Sequence, residues 1–291
     1  DNFKAFCKNS MKYRKLGTTD LDVSVICLGT MTWGEQNNQD DGFQQMDYAF
    51  ERGVNFFDTA EVYSIPTRAE TYGKTEEIIG NWFGQNNKRK DVILATKICA
   101  KSEGNSWIRD GGPNLVFDKK NINSAIDGSL KRLKTDYIDI YQMHNPRFDF
   151  INNDEVIETL NELVDEGKIR CWGMALGPDI GWLEEGIASI KKNPTSLQII
   201  LNLLEQEPSK TLLENSNDTD IGYIARVPHA SGILDGNFDE NKTFSSDDHR
   251  SHRKQKWMMN GLKAKKDLEF LFNEHDRSMG QTAILYSLFQ K

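Results

Sequence analysis

Residues 118–144, "DKKNINSAIDGSLKRLKT" running into "DYIDIYQMH", decide the fold. In the first part Ile122, Ile126, Leu130 and Leu133 recur at helical spacing and make one apolar face. The second part is a short, largely apolar run without strict alternation. A strand buried on both faces reads this way, and such strands occur in parallel sheets whose faces are covered by helices. A helix at 118–135 feeding a strand at 136–144 is one helix–strand repeat, and the fold depends on how often it recurs.

It recurs along the whole chain. Strand-like runs lie upstream at 23–30 ("VSVICLGT"), 54–58 ("VNFFD") and 91–98 ("DVILATKI"), and downstream at 169–175 ("IRCWGMA"), 196–203 ("SLQIILNL") and 220–227 ("DIGYIARV"). Helical segments at 40–52, 74–86, 153–168, 179–192 and 208–216 separate them. The segment at 40–52 offers Phe43, Met46, Tyr48, Ala49 and Phe50 as apolar positions and is stopped by Gly53. The one at 74–86 carries acids in its first turn, as the helix dipole prefers. Such alternation predicts a TIM barrel or a doubly wound sheet. No G-x-G-x-x-G follows the first strand, which disfavours the doubly wound dinucleotide-binding fold. The 291 residues suit one barrel, so the expected class is an α/β (β/α)8 barrel.

Residues 11–291 read as a single domain, with "DNFKAFCKNS" (1–10) as an extension ahead of Met11. The polar stretch "DGNFDENKTFSSDDHRSHRKQ" (235–255) reads as an inserted flexible loop. The closing "TAILYSLFQK" reads as a helix that should feed an eighth strand. Seven strands are therefore expected, with the eighth strand and the C-terminal loop missing, two unpaired sheet edges and low stability.

The net charge of −8 and the pI of about 5.3 argue against a nucleic-acid or anionic-membrane surface. The four cysteines, Cys7, Cys27, Cys99 and Cys171, form no C-x-x-C pair, and three sit in apolar strand-like runs. They are expected as buried free thiols of a reducing compartment. With no long apolar span and no signal core, the expectation is a cytoplasmic protein, with homo-oligomerisation left open.

In a TIM barrel the active site lies at the C-terminal ends of the strands. Those ends carry Gly29, Thr30 and Met31 after the first strand, Asp58 and Tyr63 after the second, Lys97 on the third and His144 on the fourth. Met174 and Ala175 end the fifth, Gln198 and Asn202 mark the sixth, and Arg226, Val227 and Pro228 end the seventh. Taken singly, each polar group has a plain structural use: a cap, a packed phenol, a snorkelling ammonium, a satisfied core imidazole. Four of them on successive strands make chemical sense together. A phenol is a poor acid at neutral pH, with an ordinary pKa of about 10. A neighbouring ammonium makes it more acidic, a carboxylate keeps that ammonium charged, and an imidazole can hold a carbonyl oxygen. The set suits protonation of a carbonyl oxygen during hydride addition to its carbon. No side chain donates hydride, so a nicotinamide cofactor is required.

These motifs resemble the aldo-keto reductase superfamily, and within it the Tas-like, NADP-dependent branch. "RKLGTTDLDVSVICLGTMTWGEQN" is similar to its N-terminal hairpin and first strand. "GVNFFDTAEVY" fits its G-x-N-x-x-D-T-A-x-x-Y motif. "GKTEEIIGNW", "SLKRLKTDYIDIYQMHNP" and "EGKIRCWGMA" follow in the family's order and spacing, and the resemblance runs from Met11 to Lys291. It implies that Tyr63 is the general acid in reduction, that Lys97 lends it acidity, that Asp58 pairs with Lys97 and that His144 orients the carbonyl. It implies an NADP(H) cofactor, with NAD(H) open, and a small-molecule carbonyl substrate. Gly29, Thr30 and Met31 would lie under the cofactor ribose and nicotinamide beside Asp58, and Gln198 would bond the carboxamide. The loop from Arg226 to Asn237 would wrap the pyrophosphate through Arg226, Val227, Pro228, His229, Ala230, Ser231, Gly232, Leu234 and Gly236. Trp33, Tyr63, His144 and the loop "SIPTRAETYG" (64–73) would line the substrate pocket. No metal is implied.

The chain departs from the family at the fifth strand, where Ala175 and Leu176 replace the usual Ser-Asn pair. Each lost hydrogen bond is worth about 0.5–1.5 kcal/mol, so weaker cofactor binding is expected. Arg226 is open between a phosphate contact and a structural ion pair. The basic residues that grip the 2′-phosphate are expected beyond Lys291. A channel-associated, non-catalytic cofactor-binding subunit is the alternative within the superfamily, but His144 favours an enzyme. A metal-dependent barrel hydrolase would want H-x-H after the first strand, where "CLGTMTW" has none.

Overall fold

The structure, a computed structural model, describes residues 11–102, 115–177, 182–236, 238–246, 248–251, 255–273 and 277–290. The expectations for the extension 1–10, including Cys7, and for Asn237 lie outside the described residues. Strands β1 (Tyr13–Lys15) and β2 (Asp22–Ser24) form an antiparallel hairpin. Then come β3 (Cys27–Gly29), α1 (Gln39–Glu51), β4 (Phe56–Asp58), α2 (Lys74–Asn86) and β5 (Ile93–Ile98). A second small hairpin pairs β6 (Lys101–Ser102) with β7 (Leu115–Val116). Next are α3 (Lys119–Leu133), β8 (Ile138–His144), α4 (Phe148–Ile151), α5 (Asp154–Asp165), β9 (Ile169–Ala175), α6 (Trp182–Lys191), β10 (Ser196–Ile200), α7 (Ser209–Asn215) and β11 (Gly222–Arg226). Helices α8 (Gln255–Asp267), α9 (Phe270–Asn273) and α10 (Met279–Leu288) close the described chain.

Seven strands form one parallel sheet in the order β11-β10-β9-β8-β5-β4-β3. That is sequence order, with a helical segment between neighbours, as in a (β/α) barrel. Among the described residues β3 and β11 are the sheet's two edges. Helix α3 starts at Asp118, whose carboxylate accepts from the Asn121 N–H, and buries Ile122, Ala125, Ile126 and Leu133 as its apolar spacing demands.

The stretch 23–30, expected as one strand, is two. Ser24 ends the hairpin, and β3 starts at Cys27. The Asn55 side chain takes the Ser24 N–H (2.7 Å) and the Ser24 hydroxyl donates to Ile26 O (2.6 Å), which bends the chain between them. The expectation of a loose polar loop at 235–255 also changes. Phe238 is buried with Leu203, Ile233, Leu234, Met258, Leu262 and Ala283. Arg250 pairs with Asp248 at 2.7 Å and stands over the Phe244 ring. The His249 ring meets Gln36 Oε1 at 2.8 Å, tying the segment to the loop after β3. The two phenylalanines supplied an apolar anchor that the polar composition concealed.

The strands alternate side chains between the helices and the barrel interior. Phe56, Ala95, Ile140, Cys171 and Ile224 point inward and pack with Leu16, Leu21 and Val23 of the hairpin, which plugs the N-terminal end. Gly17 makes that fit possible: a Cβ there would lie 2.5 Å from Thr195 O, and its φ is +56°. Two residues further along β4, β5, β8 and β11 the inward layer turns polar, with Asp58, Lys97, Gln142 and Arg226. An apolar floor under a polar layer is what places a reactive site at the C-terminal mouth.

Candidate active site

Lys97 is fully buried one residue before the C-terminal end of β5. Its ammonium donates to Asp58 Oδ1 at 2.5 Å and to Thr59 O at 2.8 Å. Two of its three N–H groups are thereby used, and the nitrogen stands 5.0 Å from the Tyr63 ring centroid. Burial alone pushes the Lys97 pKa down. The Asp58 carboxylate and Tyr63 outweigh it and hold the amine above its ordinary value of 10.5, with Arg226 opposing. The ammonium therefore persists in a dry site.

The strand register explains how the groups meet. Gly29 pairs with Asp58, Asp58 with Ala95, and Lys97 with Gln142. Asp58 ends β4, and its second oxygen accepts from Gln142 Nε2 at 3.1 Å and Gln198 Nε2 at 2.9 Å. The Asp58 carboxylate, 13% exposed, thus has three side-chain donors that offset its lost hydration. The turn after β4, held by Thr59 N–H to Ala95 O and Glu61 N–H to Lys97 O, carries Tyr63 over Lys97. His144 ends β8 with its ring edge-on to Tyr63, 5.9 Å between centroids at 85°. The structure thus brings Asp58, Tyr63, Lys97 and His144 together.

The other expected residues fall into two groups. Thr30 donates to Asp58 O (2.9 Å), Met31 O accepts from the Ile65 N–H (2.8 Å), and no atom stands within 4 Å of a Cβ built on Gly29. Gln198, expected on a carboxamide, donates to Asp58 through its Nε2. Arg226 donates to Leu176 O at 3.4 Å. In the loop after β11, Val227, Ala230, Ser231, Gly232 and Gly236 all have positive φ. Val227, at +57°, is held there by Asn202 Nδ2 and the Ala230 N–H, both donating to its carbonyl. Ala230 and Leu234 are buried against the cluster around Phe238 and carry the loop from beneath, while Pro228 opens it and His229 Nδ1 lies 3.7 Å from Asp235. Trp33 is placed elsewhere than expected. It is 1% exposed, its indole N–H donates to Gln45 Oε1, and its ring packs in the main core near Gly42 and Ile78.

Four further polar groups were not singled out in the sequence. Gln142 is two residues before His144 and so shares its inward face, a spacing that could have revealed it. Asn145 follows His144. Glu61 is 2% exposed, and its Oε1 accepts the Cys99 N–H at 2.9 Å. Cys99 Sγ lies 3.3 Å from His144 Nδ1. Burial and the hydrogen-bonded Glu61 carboxylate push the Tyr72 phenol far above its ordinary range. Cys27, Cys99 and Cys171 are free thiols as expected, but only Cys171 is buried, Cys27 and Cys99 being partly exposed. Burial pushes Cys27 up, with Asp58 adding and Lys97 opposing, and raises Cys171 to about 11.

The residues fit a nicotinamide cofactor on one observation. Gln142 Oε1 and Asn145 Oδ1 are buried acceptors without a partner, and a carboxamide offers the N–H groups they lack.

The family model described as "Aldo/keto reductase family" matches residues 25–291. "Protein tas" of Escherichia coli (strain K12) is 45% identical over 138 residues, 47% of this chain and 39% of that protein. "Uncharacterized oxidoreductase YqkF" of Bacillus subtilis (strain 168) is 38% identical over 229 residues, 77% of this chain and 67% of that protein. Among solved structures, "aldo-keto reductase AKR11C1 from Bacillus halodurans (holo form)" superposes with a TM-score of 0.71 at 28% identity, covering 96% of this chain and 82% of that one. No helix among the described residues is long and apolar enough to cross a membrane.

Proposed function

The chain belongs to the aldo/keto reductase family, and from that premise we propose that it reduces an aldehyde or ketone to the alcohol with NADP(H), NAD(H) being the second candidate. The observation that carries this reading is the fully buried Lys97 ammonium, set between the Asp58 carboxylate and the Tyr63 ring.

The cofactor, when bound, supplies the hydride to the carbonyl carbon. The Tyr63 hydroxyl hands its proton to the carbonyl oxygen, and in the reverse direction takes it back. Lys97 stabilises the phenolate left behind, because an ammonium in a low-dielectric site acts strongly on an adjacent charge. Asp58 keeps Lys97 charged and fixed. The His144 imidazole holds the carbonyl oxygen in reach of the phenol. Gln142 and Asn145 offer their free acceptors to the carboxamide, in place of the polar pair that Ala175 and Leu176 lack. The positive-φ loop from Val227 to Gly236 presents backbone to the pyrophosphate at its glycines, where a close approach meets no Cβ. The substrate would enter past the loop 64–73.

Tyr63→Phe tests the reading. NADPH-dependent reduction of an aldehyde panel should be lost, while NADPH binding, followed by fluorescence titration, should stay near the parent value. Retention of most of the rate would remove Tyr63 from the acid role.

A further inference from the structure

We infer that Cys99 is a positioning residue for His144, its thiol fixing the imidazole tautomer so that Nε2 carries the proton towards the substrate oxygen. The inference rests on the carbonyl-reduction reading of the site and adds to it the residue that prepares the imidazole.

A neutral imidazole ring has one N–H and one lone pair, and its partner at one nitrogen decides which nitrogen holds the proton. At Nδ1 a neighbour is the Cys99 sulfur, 3.3 Å away. Two arrangements satisfy that contact. In one the thiol donates to Nδ1 and the ring proton sits on Nε2. In the other Nδ1–H donates to sulfur and Nε2 carries a lone pair, which would repel a carbonyl oxygen. Only the first can hold the oxygen that Tyr63 must protonate.

A thiol sulfur is a weak acceptor and the imidazole lone pair a stronger one, which favours the thiol as donor, and the surroundings keep the sulfur protonated and in place. An ordinary thiol, with a pKa of about 8.5, is protonated at neutral pH. The Glu61 carboxylate, which is buried and takes the Cys99 N–H at 2.9 Å, opposes a negative sulfur. The contact is also rigid. Glu61 is tied through its own N–H to Lys97 O (3.1 Å), and the ring of His144 is fixed edge-on against Tyr63. The sulfur, the imidazole and the phenol are thus held on one frame anchored at the buried ammonium. A thiol that donates to Nδ1 also disfavours the imidazolium, which has no lone pair to accept with.

The test reads the tautomer directly. In protein labelled with 15N-histidine, long-range proton–nitrogen correlation spectra distinguish the two neutral tautomers, and His144→Gln identifies the His144 signals by their loss. The parent and Cys99→Ser, which keeps a donor, should show the Nε2–H tautomer at neutral pH. Cys99→Ala, and the bulkier Cys99→Val if Ala perturbs the fold, should show mixed tautomers. Their imidazole pKa should rise by roughly 0.5–1 unit, the worth of one neutral hydrogen bond. With an aldehyde substrate, kcat should fall about three- to tenfold in Cys99→Ala at unchanged NADPH affinity and recover in Cys99→Ser. An Nδ1–H tautomer in the parent, or a tautomer and pKa indifferent to Cys99→Ala, overturns the assignment. The spectra do not depend on turnover. A responsive tautomer in a protein that reduces no carbonyl would keep the positioning role and reject the proposed reaction.

Discussion

Lys97 is an amine in a site that, by burial alone, would take its proton away, and Asp58 and Tyr63 keep it there. This has a consequence for stability. Lys97 and Cys27 both have pKa values raised on folding. The native state therefore binds more protons than the unfolded state at alkaline pH, and the slope of stability against pH is negative there. The contribution of Cys27 is complete below its ordinary value of 9.0 and is lost above it. That of Lys97 is complete below 10.5 and is lost as pH passes its raised value. Urea denaturation should therefore give a midpoint that declines from about pH 9 upward, and Cys27→Ala should lessen the first part of that decline, the remainder of which belongs to Cys171, raised from 9.0 to about 11. At this scale Asp58, Lys97 and His144 were legible because a polar residue at the end of an apolar strand is conspicuous, and Tyr63 because it follows Asp58 by five positions. Gln142, Glu61, Cys99 and Asn145 were not. Their meaning lies in a partner on another strand, Asp58 for Gln142 and His144 for Cys99, and no local pattern names that partner.

Helices and strands were read from periodicity, and α2 and β9 fall where that reading put them, at 74–86 and 169–175. The errors arose where side chains redirect the backbone. Ser24 and Asn55 divide the first predicted strand, and β10 ends at Ile200 rather than 203, just before Asn202 Oδ1 takes the Leu204 and Glu205 N–H groups. Packing between elements is also invisible to periodicity. Gly80 of α2 reads as a weak helix former, yet a Cβ there would stand 2.2 Å from Arg132 O of α3. Gly80→Ala should therefore destabilise the protein despite its better helix propensity. A loss of about 1–3 kcal/mol is expected from overpacking, measured as a lower denaturation midpoint at unchanged slope. A gain in stability would mean that α2 and α3 can separate at small cost.

Across the whole molecule the inward side chains run from an apolar plug to a polar layer and then to the mouth, so core and site share the same strands. The parallel order of seven strands followed from the recurring helix–strand repeat. The segment from 235 onward did not, because its composition is polar and its two anchoring phenylalanines are sparse. Phe238 packs beneath Ile233 and Leu234, so it holds the positive-φ loop in place from a distance. Phe238→Ala should weaken NADPH binding about tenfold, equivalent to about 1.4 kcal/mol, while kcat at saturating cofactor stays close to the parent value. Equal losses in binding and in kcat would show that the cluster supports the reacting groups as well.

The central claim is that a buried ammonium enables a phenol to give up its proton. Lys97→Met keeps the length of the side chain and removes the charge. Single-turnover reduction of an aldehyde by enzyme preloaded with NADPH, followed by stopped-flow loss of NADPH absorbance, measures the step itself. The account predicts a rate lower by on the order of 10²-fold or more, with NADPH affinity and circular dichroism retained. A Lys97→Met protein that turns over at nearly the parent rate would contradict it.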